Sequence, residues 1–248
     1  MRQGTPSFLK IENLSKSFGG LMVIPRLSFS LAEGEILGII GPNGSGKTTL
    51  FNLITGFLKA DEGRIDFSGK DITNQRPSSI CKLGITRTFQ LVKPFTRMTT
   101  LENVMAGRAY GKSPAKDMKQ AKEEAEELLN LVNLRGKKDM EASRLNLIDR
   151  KKLEIVRALA TQPKLLLLDE VFAGLNPTEV EEALRLLSTI KNLGITLMVV
   201  EHVIKVILGV SERVIVLSSG DKIFEGLPKE AIQDEKVIKA YLGEDFYA

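Results

Sequence analysis

One short segment restricts the fold of this chain more than any other. It is Gly41-Pro42-Asn43-Gly44-Ser45-Gly46-Lys47-Thr48, which follows the apolar run Glu35–Ile40 and leads into the helical pattern of Thr48–Phe57. A glycine-rich loop that joins a buried strand to a helix and ends in Lys and Thr is the pattern of a phosphate-binding loop. Glycines let successive backbone N–H groups turn toward one anion, and the following helix points its positive end at the same place. The segment therefore predicts an α/β domain that binds phosphate groups at this loop.

The same loop predicts which side chains meet a nucleotide. Lys47 is expected to reach the β- and γ-phosphates, and the Thr48 hydroxyl to ligate Mg²⁺. The complete set of predicted loop residues is Gly41, Pro42, Asn43, Gly44, Ser45, Gly46, Lys47, Thr48 and Thr49. The loop alone does not distinguish an ATPase from a GTPase or a kinase.

Two adjacent carboxylates form a second candidate site. Asp169 and Glu170 directly follow the apolar run Leu165–Leu168. Ligands of open α/β sheets bind at the carboxyl ends of strands, and buried carboxylates are unfavourable there without a cation or substrate. Asp169 is predicted to hold the Mg²⁺ shell, and Glu170 to polarise the attacking water as general base. No N-K-x-D motif for guanine recognition is found in the sequence, which disfavours a GTPase.

Further along the chain, strand-like and helical patterns alternate. The predicted strands are Phe8–Leu14, Leu27–Leu31, Glu35–Ile40, Arg64–Phe67, Lys164–Asp169, Ile195–Val200 and Val214–Leu217. The middle of the chain, Leu101–Leu134, shows a helical pattern, and helices are also predicted at Pro177–Leu193 and Val203–Val210. Alternating strands and helices favour an α/β fold with a mainly parallel sheet. The helical middle is predicted to be an inserted lobe.

Composition excludes several classes of function. Hydrophobic residues make up 43% of the 248 residues and charged residues 27%, as in soluble globular proteins. No apolar run approaches the roughly 18 residues of a membrane-spanning helix, and the single cysteine, Cys81, cannot form an internal disulfide. The net charge of +4 is spread along the chain rather than gathered in a basic arm, so no nucleic-acid partner is expected.

Taken in order, the motifs resemble those of ABC-transporter ATP-binding subunits over nearly the whole chain. They are the loop at 41–48, Gln90 within Thr86-Arg87-Thr88-Phe89-Gln90, the pair Asp169-Glu170, Ala173-Gly174-Leu175-Asn176-Pro177, and Glu201-His202. The resemblance implies a P-loop NTPase (RecA-like) α/β core with an antiparallel β subdomain and an inserted helical subdomain. It implies one domain over 7–248, with the helical lobe at approximately 91–162.

This resemblance also implies functional roles and cofactors. ATP and Mg²⁺ are the expected ligands, with Thr48, Gln90 and Asp169 at the metal and Glu170, His202 and Gln90 in catalysis. His202, the only histidine of the chain, would contact the γ-phosphate. Phe18 resembles the aromatic residue that stacks on adenine, with Val23 beside it. The alternative is that Phe18 is a hydrophobic staple or a core residue.

One motif departs from the family. Where its members carry Leu-Ser-Gly-Gly-Gln at a helix start, this chain has Leu145-Asn146-Leu147-Ile148-Asp149. Two glycines that permit close approach to phosphate are replaced by bulky residues, and Asp149 adds a negative charge. An ordinary charged helix start is the alternative interpretation. Since two such subunits resembling this family enclose two ATP molecules, the departure predicts a heterodimer whose second site hydrolyses slowly.

Partners and cargo follow from the resemblance alone. Arg87–Leu91, Phe95–Val104 and Val237–Glu244 look like segments of branched-chain amino acid importer ATPases, and the tail from Tyr241 to Phe246 also resembles the lipopolysaccharide exporter's ATPase. Urea or short-amide uptake stays open. The implied partners are a second ATP-binding subunit, membrane permease subunits and, indirectly, a solute-binding protein, at the cytoplasmic face of the membrane. Intact Glu170 and His202 disfavour a non-hydrolysing switch subunit. A DNA-repair or translation ATPase is disfavoured because the sequence shows neither a duplicated cassette nor a long coiled-coil insert. A P-loop kinase is disfavoured because no acceptor-binding lid is visible in the sequence.

Overall fold

The structure, a computed structural model, describes residues 8–90, 93–201 and 204–242. Its strands are β1 (Leu9–Phe18), β2 (Leu21–Leu31), β3 (Ile36–Ile40), β4 (Glu62–Phe67), β5 (Lys70–Asp71), β6 (Ile85–Arg87), β7 (Leu165–Asp169), β8 (Thr196–Val200), β9 (Arg213–Ser218) and β10 (Asp221–Gly226). Its α-helices are α1 (Lys47–Ile54), α2 (Pro77–Leu83), α3 (Thr100–Tyr110), α4 (Met118–Leu131), α5 (Leu147–Ala160), α6 (Pro177–Asn192), α7 (Ile204–Val210), α8 (Pro228–Ala231) and α9 (Glu235–Leu242). Two short 3-10 helices lie between α4 and α5, at Arg135–Lys137 and Ala142–Arg144.

The chain divides into two compact units. Unit 1 consists of Met1–Pro77 and Phe172–Ala248, and unit 2 of Ser78–Val171. Unit 2 therefore interrupts the sequence of unit 1. The sequence-based lobe at 91–162 within one domain over 7–248 stays a prediction.

Unit 1 contains an antiparallel and a mainly parallel set of strands. The antiparallel sheet has the order β2-β1-β4-β5, and a turn at Gly19 and Gly20 joins β1 to β2. In the other set β3 pairs in parallel with both β8 and β9, and β10 adds to β9 in antiparallel. Every residue of β3 and β8 is buried, which explains why both strands are continuous apolar runs without alternation. The loop at 41–48 thus leaves a strand that has a parallel neighbour on either side.

Unit 2 combines the short parallel pair β6 and β7 with a helical bundle of α3, α4 and α5. Helix α3 begins with a capping box in which Thr99 and Glu102 bond each other's backbone N–H groups. Helix α4 buries Ala121, Ala125 and Leu129, which recur every fourth residue and therefore share one face of the helix.

The helical pattern over Leu101–Leu134 corresponds to two helices in the structure. Helix α3 ends at Tyr110, and α4 begins after its N-cap Asp117. Gly111 marks the break because the chain passes so close to α5 that a Cβ there would lie 2.4 Å from the carbonyl oxygen of Thr161. This contact joins residues far apart in sequence, so helical periodicity does not reveal it.

The predicted α/β class with an antiparallel subdomain is confirmed. Strand boundaries differ mainly at β1 and β2, which extend to the Gly19-Gly20 turn and are longer than the alternation suggested. No helix within the described ranges is both long and apolar enough to cross a bilayer.

Candidate nucleotide-binding site

The loop that follows β3 needs glycine for reasons of space and backbone angle. Gly41 has φ +150°, and a Cβ there would lie 2.1 Å from the carbonyl oxygen of Leu217 at the end of β9. Gly44 and Gly46 have φ values of +79° and +98°, which L side chains rarely adopt. The backbone of Gly220 also donates to the carbonyl of Ser45 over 3.2 Å, so the β9–β10 turn supports the loop. Unit 1 therefore holds this loop in a shape that a side chain at Gly41 would disrupt.

The side chain of Lys47 bonds the backbone at the start of the same loop. Its Nζ donates to the carbonyl oxygens of Gly41 at 2.8 Å and Pro42 at 2.9 Å, and the residue is only 6% exposed. Thr48, the next residue of α1, is exposed, and Thr49 is half-buried. The predicted phosphate ligand and the predicted Mg²⁺ ligand therefore stand side by side at the first turn of a helix.

The donor groups of this loop fit a triphosphate with a hard cation. Ser45 Oγ is buried with no hydrogen-bond partner in the part of the chain that the structure describes. That hydroxyl, the Lys47 ammonium and the helix N-terminus are donors of the kind that phosphate oxygens accept from. The exposed hydroxyl of Thr48 is an oxygen ligand of the kind that Mg²⁺ prefers.

The predicted adenine-contacting residues lie on the antiparallel sheet of unit 1. Phe18 is 45% exposed at the end of β1, so it is not a core residue, and the Lys16 ammonium lies 5.6 Å from its ring centroid. Val23 is half-buried, and its carbonyl oxygen would lie 3.3 Å from a Cβ on Gly46. The structure thus brings Val23 against the loop and leaves an aromatic face accessible on Phe18.

The first carboxylate of the acidic pair is held by partners that the motifs did not predict. Asp169 is fully buried, and its Oδ2 accepts a hydrogen bond from Arg87 Nη2 at 2.5 Å. The backbone N–H of Asp169 donates to Thr88 Oγ1 at 3.1 Å. Burial lowers the pKa of the Arg87 guanidinium, and the Asp169 charge opposes that change. A carboxylate has two oxygens that accept several bonds, so the pairing with Arg87 is compatible with a role near Mg²⁺.

The second carboxylate occupies an unusual backbone position. Glu170 has φ 51°, in the left-handed region that is uncommon for residues other than glycine and occurs often at functional sites. Its Oε2 accepts a hydrogen bond from Gln90 Nε2 at 2.7 Å. Unit 2 therefore places Gln90 beside Glu170, the residue that follows Asp169.

At the end of β8, the buried Glu201 uses Oε1 to accept a hydrogen bond from the backbone N–H of Phe172 at 2.6 Å. This hydrogen bond connects Glu201, the residue before His202, to the segment Phe172–Asn176. Asn176 then caps α6 in a capping box with Glu179. His202 itself lies outside the described residues.

The replaced motif at 145–149 forms an ordinary helix start. Asn146 is the N-cap of α5, and its side chain accepts from the backbone N–H of Asp149 at 2.8 Å. Leu147 is 66% exposed. The Asp149 carboxylate pairs with the Lys137 ammonium, which offsets its charge. The residue types alone gave no sign of the Lys137 contact.

Comparisons with known proteins agree with this geometry. The profile of the ABC transporter family matches residues 24–173, and the chain belongs to that family as one of its ATP-binding cassettes. Residues 222–247 match the profile "branched-chain amino acid ATP-binding cassette transporter". The predicted family, fold and ATPase class are thereby confirmed.

Three known proteins illustrate the likeness. The probable branched-chain amino acid transport ATP-binding protein LivG of Archaeoglobus fulgidus is 38% identical over 244 residues, which cover 95% of each chain. The lipopolysaccharide export ATP-binding protein LptB of Haemophilus influenzae is 35% identical over 240 residues, covering 97% of this chain and 99% of LptB. The solved ADP conformation of an ABC transporter's ATP-binding cassette superposes with a TM-score of 0.87 at 38% identity, covering 97% of this chain and all of that one.

Proposed function

We propose that this chain hydrolyses MgATP to drive uptake of branched-chain or related amino acids. The observation that carries the ATPase part is Glu170, whose left-handed backbone and bond to Gln90 hold a carboxylate directly after buried Asp169. A residue kept in a strained conformation beside a second carboxylate is suited to orient one water molecule.

Within this proposal, Gly41–Thr49 bind the triphosphate through backbone N–H groups and Lys47. Thr48, Gln90 and Asp169 are the residues that would hold Mg²⁺, and the ion would supply positive charge near the phosphates. Glu170 accepts a proton from the attacking water, Gln90 orients Glu170, and His202 contacts the γ-phosphate. Phe18 stacks on adenine, with Val23 beside it.

We also propose that the chain acts in a heterodimer. Its own loop, Glu170 and His202 would form a fast site with a partner that carries an intact glycine motif, and the mirrored site would be slow. Support comes from the exposed side chain of Leu147, which stands where the family has a glycine. That side chain restricts the approach of phosphate to the backbone N–H groups at the start of α5.

Mixing the chain with its partner tests the heterodimer. We expect turnover per chain to rise about tenfold or more, because preorganised backbone donors to a developing charge have effects of that size. Steady-state phosphate release from the chain alone and from the mixture measures it. As a control, the double variant Leu147→Gly/Ile148→Gly should raise the turnover of the chain alone. Equal specific activity with and without the partner would contradict the heterodimer.

The cargo is argued from the relatives. The C-terminal profile match and LivG both carry branched-chain amino acid transport in their names, and LptB supports lipopolysaccharide export as the second candidate. Fold alone does not specify cargo. The chain would act at the cytoplasmic face of the membrane through permease subunits. Phe95, which is 49% exposed, and half-buried Met98 are the described candidates for that contact, whereas Leu91 and Val92 lie outside the described residues.

Transport by vesicles that contain the complete complex tests the cargo. We expect ATP-dependent accumulation of radiolabelled leucine, isoleucine or valine, and its loss when the chain carries Glu170→Gln. Accumulation of radiolabelled urea and of acetamide is measured in separate samples of the same vesicles, as the alternative cargo. Accumulation of urea or acetamide without that of any branched-chain amino acid would overturn the proposed cargo but not the ATPase.

A further inference from the structure

Two charged side chains of α5 hold the chain on both sides of Gln90. Glu154 is 7% exposed, and its carboxylate accepts a hydrogen bond from the backbone of Phe89, the residue before Gln90. Arg157 donates through Nη1 to the carbonyl oxygen of Lys93 at 3.2 Å. The same Nη1 donates to Glu154 Oε2 at 2.9 Å, so the two side chains form one unit. One turn of one helix therefore contacts the backbone before and after Gln90.

Arg157 also contacts Phe95, which follows further along the chain. The Arg157 guanidinium lies 4.8 Å from the ring centroid of Phe95, which is cation–π distance. The backbone of Phe95 is fixed separately by the buried Asn103, which accepts from its N–H at 2.8 Å and donates to its carbonyl at 3.0 Å. Phe95 is thus held by α3 through its backbone and by α5 through its ring, while about half of the residue stays exposed.

The burial of Glu154 indicates that its contacts with Arg157 and the Phe89 N–H are a specific feature of the fold. Burial raises the pKa of the Glu154 carboxyl, while Arg157 and the Phe89 N–H oppose that shift. A buried carboxylate is unfavourable unless its partners compensate it, so the polar pair persists only with both contacts in place. If positions 154 and 157 served packing alone, two apolar side chains would serve without the cost of a buried charge.

We propose that Arg157, supported by Glu154, is a positioning residue that sets the Gln90 amide against Glu170. The proposal rests on the proposed ATPase function. Arg157 does not act on nucleotide. It bonds the backbone at Lys93 and supports Glu154, which bonds the backbone of Phe89, so the pair fixes the chain on either side of the side chain that bonds Glu170 Oε2. Arg157 also links three features of unit 2, namely exposed Phe95, Gln90 and helix α5, whose N-cap is Asn146. Arg157 therefore couples the candidate docking residue to the catalytic carboxylate.

A double-mutant cycle separates positioning from simple stabilisation, because two residues that act through one another have non-additive effects. ATP turnover is measured for Arg157→Ala, Gln90→Ala and the double variant. We expect Arg157→Ala to reduce kcat about tenfold in the parent, and less than about twofold in the Gln90→Ala background. ATP affinity in each variant should stay within about twofold of its parent, since Arg157 acts on the catalytic step. An equal loss of kcat in both backgrounds, or none in either, overturns the proposal.

Five further variants distinguish the positioning role from its alternatives. Arg157→Lys keeps the charge but loses the planar fork, so it should show a smaller loss with the same dependence on Gln90, and it replaces Arg157→Ala if that variant does not fold. Glu154→Gln keeps an acceptor for Phe89 and should resemble the parent more than Glu154→Ala does. Arg185→Ala on α6 is the control, because that side chain is exposed and makes no hydrogen bond or ion pair within the described ranges. Glu170→Gln in the same assay establishes the parent activity, so failure of the positioning role is distinguishable from failure of the ATPase function.

Discussion

Glutamine in place of Glu170 is expected to lower ATP turnover by a factor of about 10² to 10⁴ while ATP still binds. The amide cannot accept a proton from water, but it keeps the shape of the side chain and still bonds the amide of Gln90. The variant should therefore accumulate with ATP bound, as a dimer that light scattering detects. Phosphate release under saturating MgATP measures the loss.

A matched control separates this effect from a loss of charge in general. Glu181 is exposed on α6, and Glu181→Gln should leave turnover within about twofold of the parent, since surface substitutions are nearly neutral. If Glu170→Gln hydrolysed ATP as fast as Glu181→Gln, Glu170 would not be the general base.

Leucine in place of Arg87 is expected to destabilise unit 2 by about 3 to 5 kcal/mol, because it leaves the buried Asp169 carboxylate without its main cation. The side chains of both residues are nearly inaccessible, at 4% and 1% exposure. Urea unfolding followed by circular dichroism measures the change in the free energy of unfolding. In the double variant Arg87→Leu/Asp169→Leu, most of the loss should be recovered, since no unpaired charge remains buried.

An exposed arginine provides the comparison. Arg64 is 53% exposed and pairs with Asp66 and Asp71 on the surface of the antiparallel sheet. Arg64→Leu should cost less than about 1 kcal/mol, as exposed ion pairs do. Similar losses for Arg87→Leu and Arg64→Leu would show that the Arg87–Asp169 pair does not stabilise the site.

Local chemistry made much of the site predictable. The loop at 41–48 needs glycine because of its backbone angles and the nearby Leu217 carbonyl, and two carboxylates at the end of a leucine strand have few other uses. The contacts that organise the site were not predictable in the same way. Arg87 and Asp169 lie 82 positions apart, and nothing in either segment marks them as a pair.

Pairing between distant segments also explains the other differences. Glu154 and Arg157 look like the charged face of an amphipathic helix, and only the structure shows that they bond the backbone of Phe89 and Lys93. Lys137 and Asp149 are likewise joined by the fold. The roles assigned to Phe18 and His202 rest on family likeness, and His202 lies outside the described residues.

The central claim is that backbone amides at 41–48 and Lys47 bind the triphosphate. Equilibrium titration with ATP tests it most directly, in the Glu170→Gln background so that the nucleotide survives the measurement. Adding Lys47→Ala should weaken ATP binding about 10- to 100-fold, the size of a lost charged hydrogen bond, while Lys59→Ala at an exposed position should leave it unchanged. Equal ATP affinity with and without Lys47 would contradict the account.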